Sequence, residues 1–219
     1  MFRLRWPGRL TGVMRLLSAR SFLWCAVERA VAAIALVLTI PVSAAVGLTI
    51  LVLSRRNPLI RHVRAGLGGK PLGVLKFRTM WDGSRGCGIF TLEEVSGIIP
   101  EVKHGADPRV RSRFAAFCRK HSLDEIPQLF HVMRGEMSLV GPRPMTYDEL
   151  RRHYADCAHE ILSVRPGMTG IWVVMGRSHL RYRERKKLDL WLVRRPGVGL
   201  YLRILARSIP VVLSGKGAY

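Results

Sequence analysis

Residues 30–53 read A-V-A-A-I-A-L-V-L-T-I-P-V-S-A-A-V-G-L-T-I-L-V-L, twenty-four positions without one charged side chain. Apolar sequence of that length has membrane dimensions, and the fold has to be arranged around it. Pro41 stands near its middle. As helix, residues 30–40 rise only about 16 Å, roughly half the hydrocarbon thickness, and an arm of similar length follows the proline. Arg3, Arg5, Arg9, Arg15, Arg20 and Arg29 precede the stretch, while Arg55, Arg56, Arg61 and Arg64 follow it. Basic flanks stay on the cytoplasmic side, so a re-entrant helix-break-helix, broken at Pro41, satisfies both ends. The alternative, a single span kinked at the proline, leaves one basic flank outside. A cleaved signal peptide fits poorly, because the stretch is long, starts well inside the chain and runs into arginines.

The remaining composition suits one domain: 219 residues, 48% hydrophobic, with net charge +21. Such a charge fits nucleic acid or anionic lipid. The lysines and arginines are scattered and form no helix-turn-helix, zinc-finger or RNA-binding signature, so no nucleic-acid partner is expected. Anionic membrane lipid explains the charge better, at about 1 kcal/mol per juxtamembrane basic residue. Cys25, Cys87, Cys118 and Cys157 show no C-x-x-C spacing, which points to a reduced compartment and away from zinc. Residues 1–25, with Trp6, Phe22 and Trp24 among arginines, read as a basic N-terminal arm, and residues 26–219 as one domain containing the hairpin at 30–53.

Against that basic background, acid is informative. Residues 122–144, S-L-D-E-I-P-Q-L-F-H-V-M-R-G-E-M-S-L-V-G-P-R-P, place Asp124 beside Glu125. Two adjacent carboxylates repel unless a cation or proton lies between them, which suggests a metal site or acid chemistry. Arg119 and Arg143 flank the pair and suit phosphate oxygens, making phosphoryl transfer the first candidate. Ser122 and Glu125 also have capping-box spacing, which by itself would account for both acids in a helix's first turn. Pro127 favours a helix starting near Ile126, with the acids on the entering turn.

Elsewhere, residues 71–80, P-L-G-V-L-K-F-R-T-M, predict a short strand or hairpin that puts Lys76 and Arg78 on one face. Residues 83–108 are glycine-rich and read as a loop with a helical turn near 92–95. Residues 147–162 carry apolar side chains at helical spacing, predicting one amphipathic helix. The turn R-P-G-M-T-G at 165–170 leads into a short strand over 171–174 that ends at Gly176 and Arg177. The arginine-rich last third mixes apolar residues with Trp191 and Tyr201, as interfacial helices do, though two core-packing helices with snorkelling arginines fit as well. The fold class expected is α+β, mainly helical: a membrane helix-break-helix plus a small cytoplasmic catalytic domain with short strands and interfacial amphipathic helices.

The ordered set K-F-R-T-M at 76–80, S-L-D-E-I-P-Q-L at 122–129, R-G-E-M-S-L-V-G-P-R-P at 134–144 and R-P-G-M-T-G at 165–170 resembles the bacterial sugar transferase family, the monotopic phosphoglycosyl transferases. The resemblance runs from about Ala26 to the C-terminus. It implies transfer of a sugar 1-phosphate from a UDP-sugar to undecaprenyl phosphate at the cytoplasmic face of the bacterial inner membrane, releasing UMP, with Mg²⁺ as cofactor. It further implies that Asp124 attacks the β-phosphate to form a covalent phosphosugar, and that Glu125 holds the metal or assists. Arg119 and Arg143 match family arginines and would stabilise phosphate charge. Lys76, Arg78, Arg165, Arg177 and Asp189 fall in family-like contexts, with a structural salt bridge or lipid contact as the alternative for each.

Family members commonly carry serine before the membrane proline; here Ile40 precedes Pro41, and Thr39 or Ser43 would have to satisfy the freed backbone. Longer members carry extra transmembrane helices and a regulatory domain, for which this chain has no room, so a minimal enzyme is expected. The segment W-V-V-M-G-R-S and the ending V-V-L-S-G-K-G-A-Y look most like exopolysaccharide-initiating members that handle galactose or glucose 1-phosphate. A non-catalytic membrane adaptor of a polysaccharide assembly complex is the competing class, and the intact acid pair argues against it.

Overall fold

Helix α1 (Ser18–Leu38) and helix α2 (Ile40–Ser54) meet at Thr39, where the chain bends by 57°. Pro41 occupies the first turn of α2, where a missing N–H costs least. The break is closed by Thr39, whose hydroxyl donates to the carbonyls of Ala35 at 2.8 Å and Leu36 at 3.0 Å. That is the service expected of the family's serine, supplied one position earlier. In the computed structural model, residues 18–80, 91–92, 110 and 112–217 are described. Residues 1–17 of the basic arm, Cys87 and most of the expected loop at 83–108 lie outside them. Helix α1 includes residues 18–25 of the expected basic arm. Among the described residues no single helix is long and apolar enough to cross a membrane.

The chain is α+β and mainly helical, as expected, with few and short strands. Strand β1 (Leu59–Ala65), which the sequence reading passed over, pairs antiparallel with β2 (Pro71–Phe77) from Leu59 against Phe77 to Ala65 against Pro71. Where a loop was expected, Thr91–Leu92 forms β3 and adds parallel to β1 opposite Ile60 and Arg61. Backbone pairing with an open sheet edge outweighs the weak local propensity there.

Helix α3 (Arg113–Lys120) leads into a 3₁₀ segment (Leu123–Gln128) and helix α4 (Leu129–Met133). Ala32 of α1, Ile50 of α2, Val74 and Phe77 of β2, and Leu129 and Val132 of α4 form one core. One face of the apolar helix pair is thus part of the domain's interior.

Strand β4 (Ser138–Val140) pairs parallel with β5 (Gly167–Thr169). The single helix expected over 147–162 is two, α5 (Tyr147–His153) and α6 (Ala158–Ile161). The break lets Tyr154 and Cys157 enter the same second core as Leu150 and Ile161. The strand expected over 171–174 is helix α7 (Ile171–Met175), because the extended backbone is used one step earlier, by β5. Val173 turns inward there, overriding the β propensity of an Ile-Trp-Val-Val run. Helices α8 (Tyr182–Arg194) and α9 (Val198–Ser214) complete the described fold.

A single acid ties these parts together. The Glu28 side chain in α1 is 1% exposed. It accepts hydrogen bonds from Ser138 Oγ at 2.5 Å and Leu139 N at 2.6 Å in β4, from Arg165 Nη2 at 3.1 Å, and from the Tyr201 hydroxyl in α9. A buried charge is tolerated only when satisfied in this way.

Candidate functional site

Asp124 and Glu125 sit in the first turn of the 3₁₀ segment, not on an entering turn. The tighter 3₁₀ geometry starts the helix before Pro127 rather than at it. The capping box expected at Ser122 does not form: Ser122 takes left-handed backbone angles (φ 54°, ψ 24°) and its side chain caps nothing. Its hydroxyl instead accepts from Arg177 Nη2 at 2.5 Å, and Arg177 is itself left-handed, with φ 50°. Two non-glycine residues in that region cost about 1–3 kcal/mol each and are kept where surrounding structure holds them. A capping box does form between Thr146 and Glu149 at the start of α5, from a T-x-x-E that the sequence displays plainly.

The acid pair opens on a cavity of roughly 750 Å³. Its lining includes six cations, Arg64, Lys76, Arg119, Arg143, Arg177 and Arg185, against the two carboxylates Asp124 and Glu125. The wall also has a large apolar part, with Leu139, Met168 and Val173 together with Leu205, Ile209, Val212 and Leu213 of α9. Thr39, at the break between α1 and α2, also lines it. One cavity therefore combines cations, two carboxylates and apolar wall, and reaches the bend of the apolar helix pair.

The two acids behave differently. Glu125 Oε1 lies 2.5 Å from Lys76 Nζ. Burial works against the charged form of Glu125, but Lys76, Arg143 and Arg177 outweigh it and hold the carboxyl below its usual range. Asp124 is 6% exposed, and burial pushes its carboxyl up to about 6, with Glu125 adding to the rise and Lys76 and Arg119 opposing it. Near neutral pH the site thus holds one firmly ionised acid and one whose negative charge burial disfavours.

Arg119, Arg143, Lys76 and Arg177 are all brought to the cavity. Arg78 and Arg165 are not among its lining residues. Arg78 is 2% exposed and donates from Nε to the Asn57 carbonyl at 2.9 Å, while Arg165 pairs with Glu28. For these two the structural alternative matches their position. Asp189 is fully buried behind the wall, 3.5 Å from the Tyr154 hydroxyl; burial raises it to about 7 against the pull of Arg185 and Arg143. Arg64, Arg185 and Trp172, which the sequence reading had not placed in a site, line the cavity. Tyr182, Arg185 and Asp189 recur at helical spacing on the buried face of α8, a signal masked by the many exposed arginines around them.

Among the described residues no three His, Cys, Asp or Glu side chains gather to hold a metal. Two carboxylates are still the donor set that suits magnesium, which takes one or two carboxylates together with substrate phosphates.

Residues 19–215 match the family described as bacterial sugar transferase. The chain is 43% identical over 171 residues to an uncharacterized sugar transferase of Haemophilus influenzae, covering 74% of this chain and 35% of that protein. It is 41% identical over 170 residues to the UDP-galactose-lipid carrier transferase of Erwinia amylovora, covering 74% and 34%. It is 40% identical over 166 residues to the exopolysaccharide production protein ExoY of Rhizobium meliloti, covering 72% and 71%. The chain is matched to about a third of the length of the first two.

Proposed function

The chain belongs to the bacterial sugar transferase family, and from that footing we propose that it transfers a sugar 1-phosphate from a UDP-sugar to undecaprenyl phosphate and so initiates an exopolysaccharide or related glycan. The observation that carries this is the one cavity whose wall combines cations around an acid pair with an apolar surface. A nucleotide diphosphate suits the first and a polyprenyl chain the second.

In the first half-reaction an Asp124 oxygen forms a bond to the β-phosphorus and the anhydride bond to the α-phosphate breaks, its electron pair leaving with UMP. In the second, a phosphate oxygen of the lipid attacks the same phosphorus and the Asp124 carboxylate departs. Lys76, Arg119, Arg143 and Arg177 stabilise the phosphate charge. Asp124 and Glu125 are the residues that would hold Mg²⁺, which when bound neutralises phosphate charge.

Purified protein with a UDP-sugar alone is expected to release UMP and gain the mass of one phosphosugar, UDP-galactose and UDP-glucose being the first to try. No UMP from any UDP-sugar, with or without polyprenyl phosphate, would favour the adaptor alternative. The rate should also titrate. Because the Asp124 carboxyl is raised to about 6, kcat/KM is expected to fall about tenfold per pH unit below that value as the nucleophile is protonated.

The membrane arrangement we propose is re-entrant, on the cytoplasmic face of the inner membrane, with anionic lipid against the basic flanks. Helix α2, of 15 residues, rises about 22 Å, less than the roughly 30 Å hydrocarbon core. Val31, Ile34, Val37, Leu48 and Val52 are exposed on the two helices, an apolar surface that water would not favour. Single cysteines placed before Ala30 and after Leu53, in a chain with its own four removed, should be labelled by an impermeant reagent from the same side. Labelling from opposite sides would establish a span.

A further inference from the structure

Arg143 is the cation whose placement is hardest to explain. Its guanidinium has no hydrogen-bond or ion-pair partner among the described residues, and its charge is close enough to Arg64 and Arg185 to depress both, after burial. Glu125, Glu149 and Asp189 attract the same charge without pairing with it, so its exact place is left to other contacts. What it does touch is aromatic: its central carbon lies 5.6 Å from the ring centre of Trp172. The Arg185 guanidinium lies 5.9 Å from the same ring and 5.5 Å from that of Tyr182, with Nη2 directed at the carbonyls of Arg177 and Leu180, both at 3.4 Å.

We infer that Trp172 is a positioning residue that holds the Arg143 guanidinium in the cavity by its ring face, leaving the guanidinium N–H groups for the phosphate oxygens of a diphosphate. An acid in place of the indole would hold Arg143 more tightly but would occupy its donors and cancel its charge; a ring face attracts the cation and consumes neither. Helix α7 presents Trp172 two residues after Gly170, so the same R-P-G-M-T-G segment that buttresses the Arg143 loop also delivers the ring beside it. This inference rests on the proposed diphosphate chemistry, and its test separates the two.

Binding of inorganic pyrophosphate is measured calorimetrically for the wild type, Trp172→Leu, Arg143→Met and the double variant. Trp172→Leu is expected to weaken binding about fivefold to tenfold, between the values for an exposed and a desolvated cation–π contact, and Arg143→Met by at least as much, since it removes the phosphate contact itself. The double variant is expected to bind no more weakly than Arg143→Met alone, because the ring acts on the anion through Arg143, while Arg185 keeps the Tyr182 ring and the carbonyls of Arg177 and Leu180 when Trp172 is lost. Multiplied effects in the double variant, or no loss in Trp172→Leu, would overturn the role, as would a wild type that does not bind pyrophosphate. Should Trp172→Leu not fold, fluorinated tryptophans placed at Trp172 keep the shape and weaken the ring's attraction. Affinity should then fall stepwise with fluorine number, and a flat series overturns the proposal. A protein that passes these tests but releases no UMP from any UDP-sugar would refute the transferase reading and leave Trp172 as the holder of an anion clamp.

Discussion

Asp124→Asn is expected to abolish turnover, by about 10⁴-fold or more as for other lost nucleophiles, and to leave no phosphosugar on the protein. The stability of the same variant should move the other way. Asp124 has a carboxyl raised to about 6 by burial, so the fold disfavours its ionised form. That penalty is fully present above about pH 6 and vanishes as pH falls below the unfolded value near 4. Asparagine is neutral at all these pH values and does not carry the penalty. The variant should therefore melt no lower than wild type at pH 8, and the difference between them should shrink toward pH 4. An inactive protein that melts as high as wild type identifies Asp124 as a chemical group, whereas one that melts far lower would make it a structural one. Retained turnover in Asp124→Asn would end the covalent mechanism.

Gly167→Ala is expected to be the most damaging change away from the reacting atoms. The G-P-R-P loop at 141–144 and the R-P-G-M-T-G segment at 165–170 lie backbone on backbone. Gly167 N donates to Pro142 O at 2.8 Å, Gly141 N to Thr169 O at 2.9 Å, and Ser138 N to Pro166 O at 2.9 Å. A β-carbon on Gly167 would overlap the backbone nitrogen and α-carbon of Gly141; one on Gly141 would stand 2.7 Å from Gly167 N and 2.8 Å from Arg165 O. Backbone atoms cannot step aside as a side-chain tip can, so the two segments have to part. A loss of about 3 kcal/mol is expected, the upper end for overpacking. Any folded fraction should lose a further 10²- to 10³-fold in turnover as Arg143 leaves its place, the cost of one misplaced charge stabiliser. Chemical denaturation and UMP release measured together check both parts. A variant as stable and as active as wild type would show that the contact between these motifs is not what sets Arg143.

How much of this was legible beforehand varied with the kind of residue. Asp124, Glu125, Arg119 and Arg143 could be named because scarce acid and proline-braced arginine are unusual in a chain of charge +21. The bend at Pro41 was readable from its central place in an apolar stretch, and even its substitute partner Thr39 could be nominated. Arg78 and Arg165 looked like the same kind of cation, yet one is buried against Asn57 and the other is committed to Glu28. Glu28 itself was legible in principle, as a lone acid inside W-C-A-V-E-R-A-V entering the apolar run. Its four donors come from β4, Arg165 and α9, which no local pattern connects.

The amino-acid sequence by itself determined the family motifs, the mainly helical class, the break in the apolar segment and the identity of the acid pair, because these depend on composition, proline geometry and short-range spacing. Only the tertiary structure decided which arginines face the cavity, that residues 171–175 are helix rather than strand, that the acids ride on a 3₁₀ turn without a capping box, and that Trp172 stands beside Arg143. The reason is physical. An arginine's long side chain takes its direction from whichever acid, carbonyl or ring it meets, and in this chain those partners lie up to 137 residues away, as Glu28 does from Arg165.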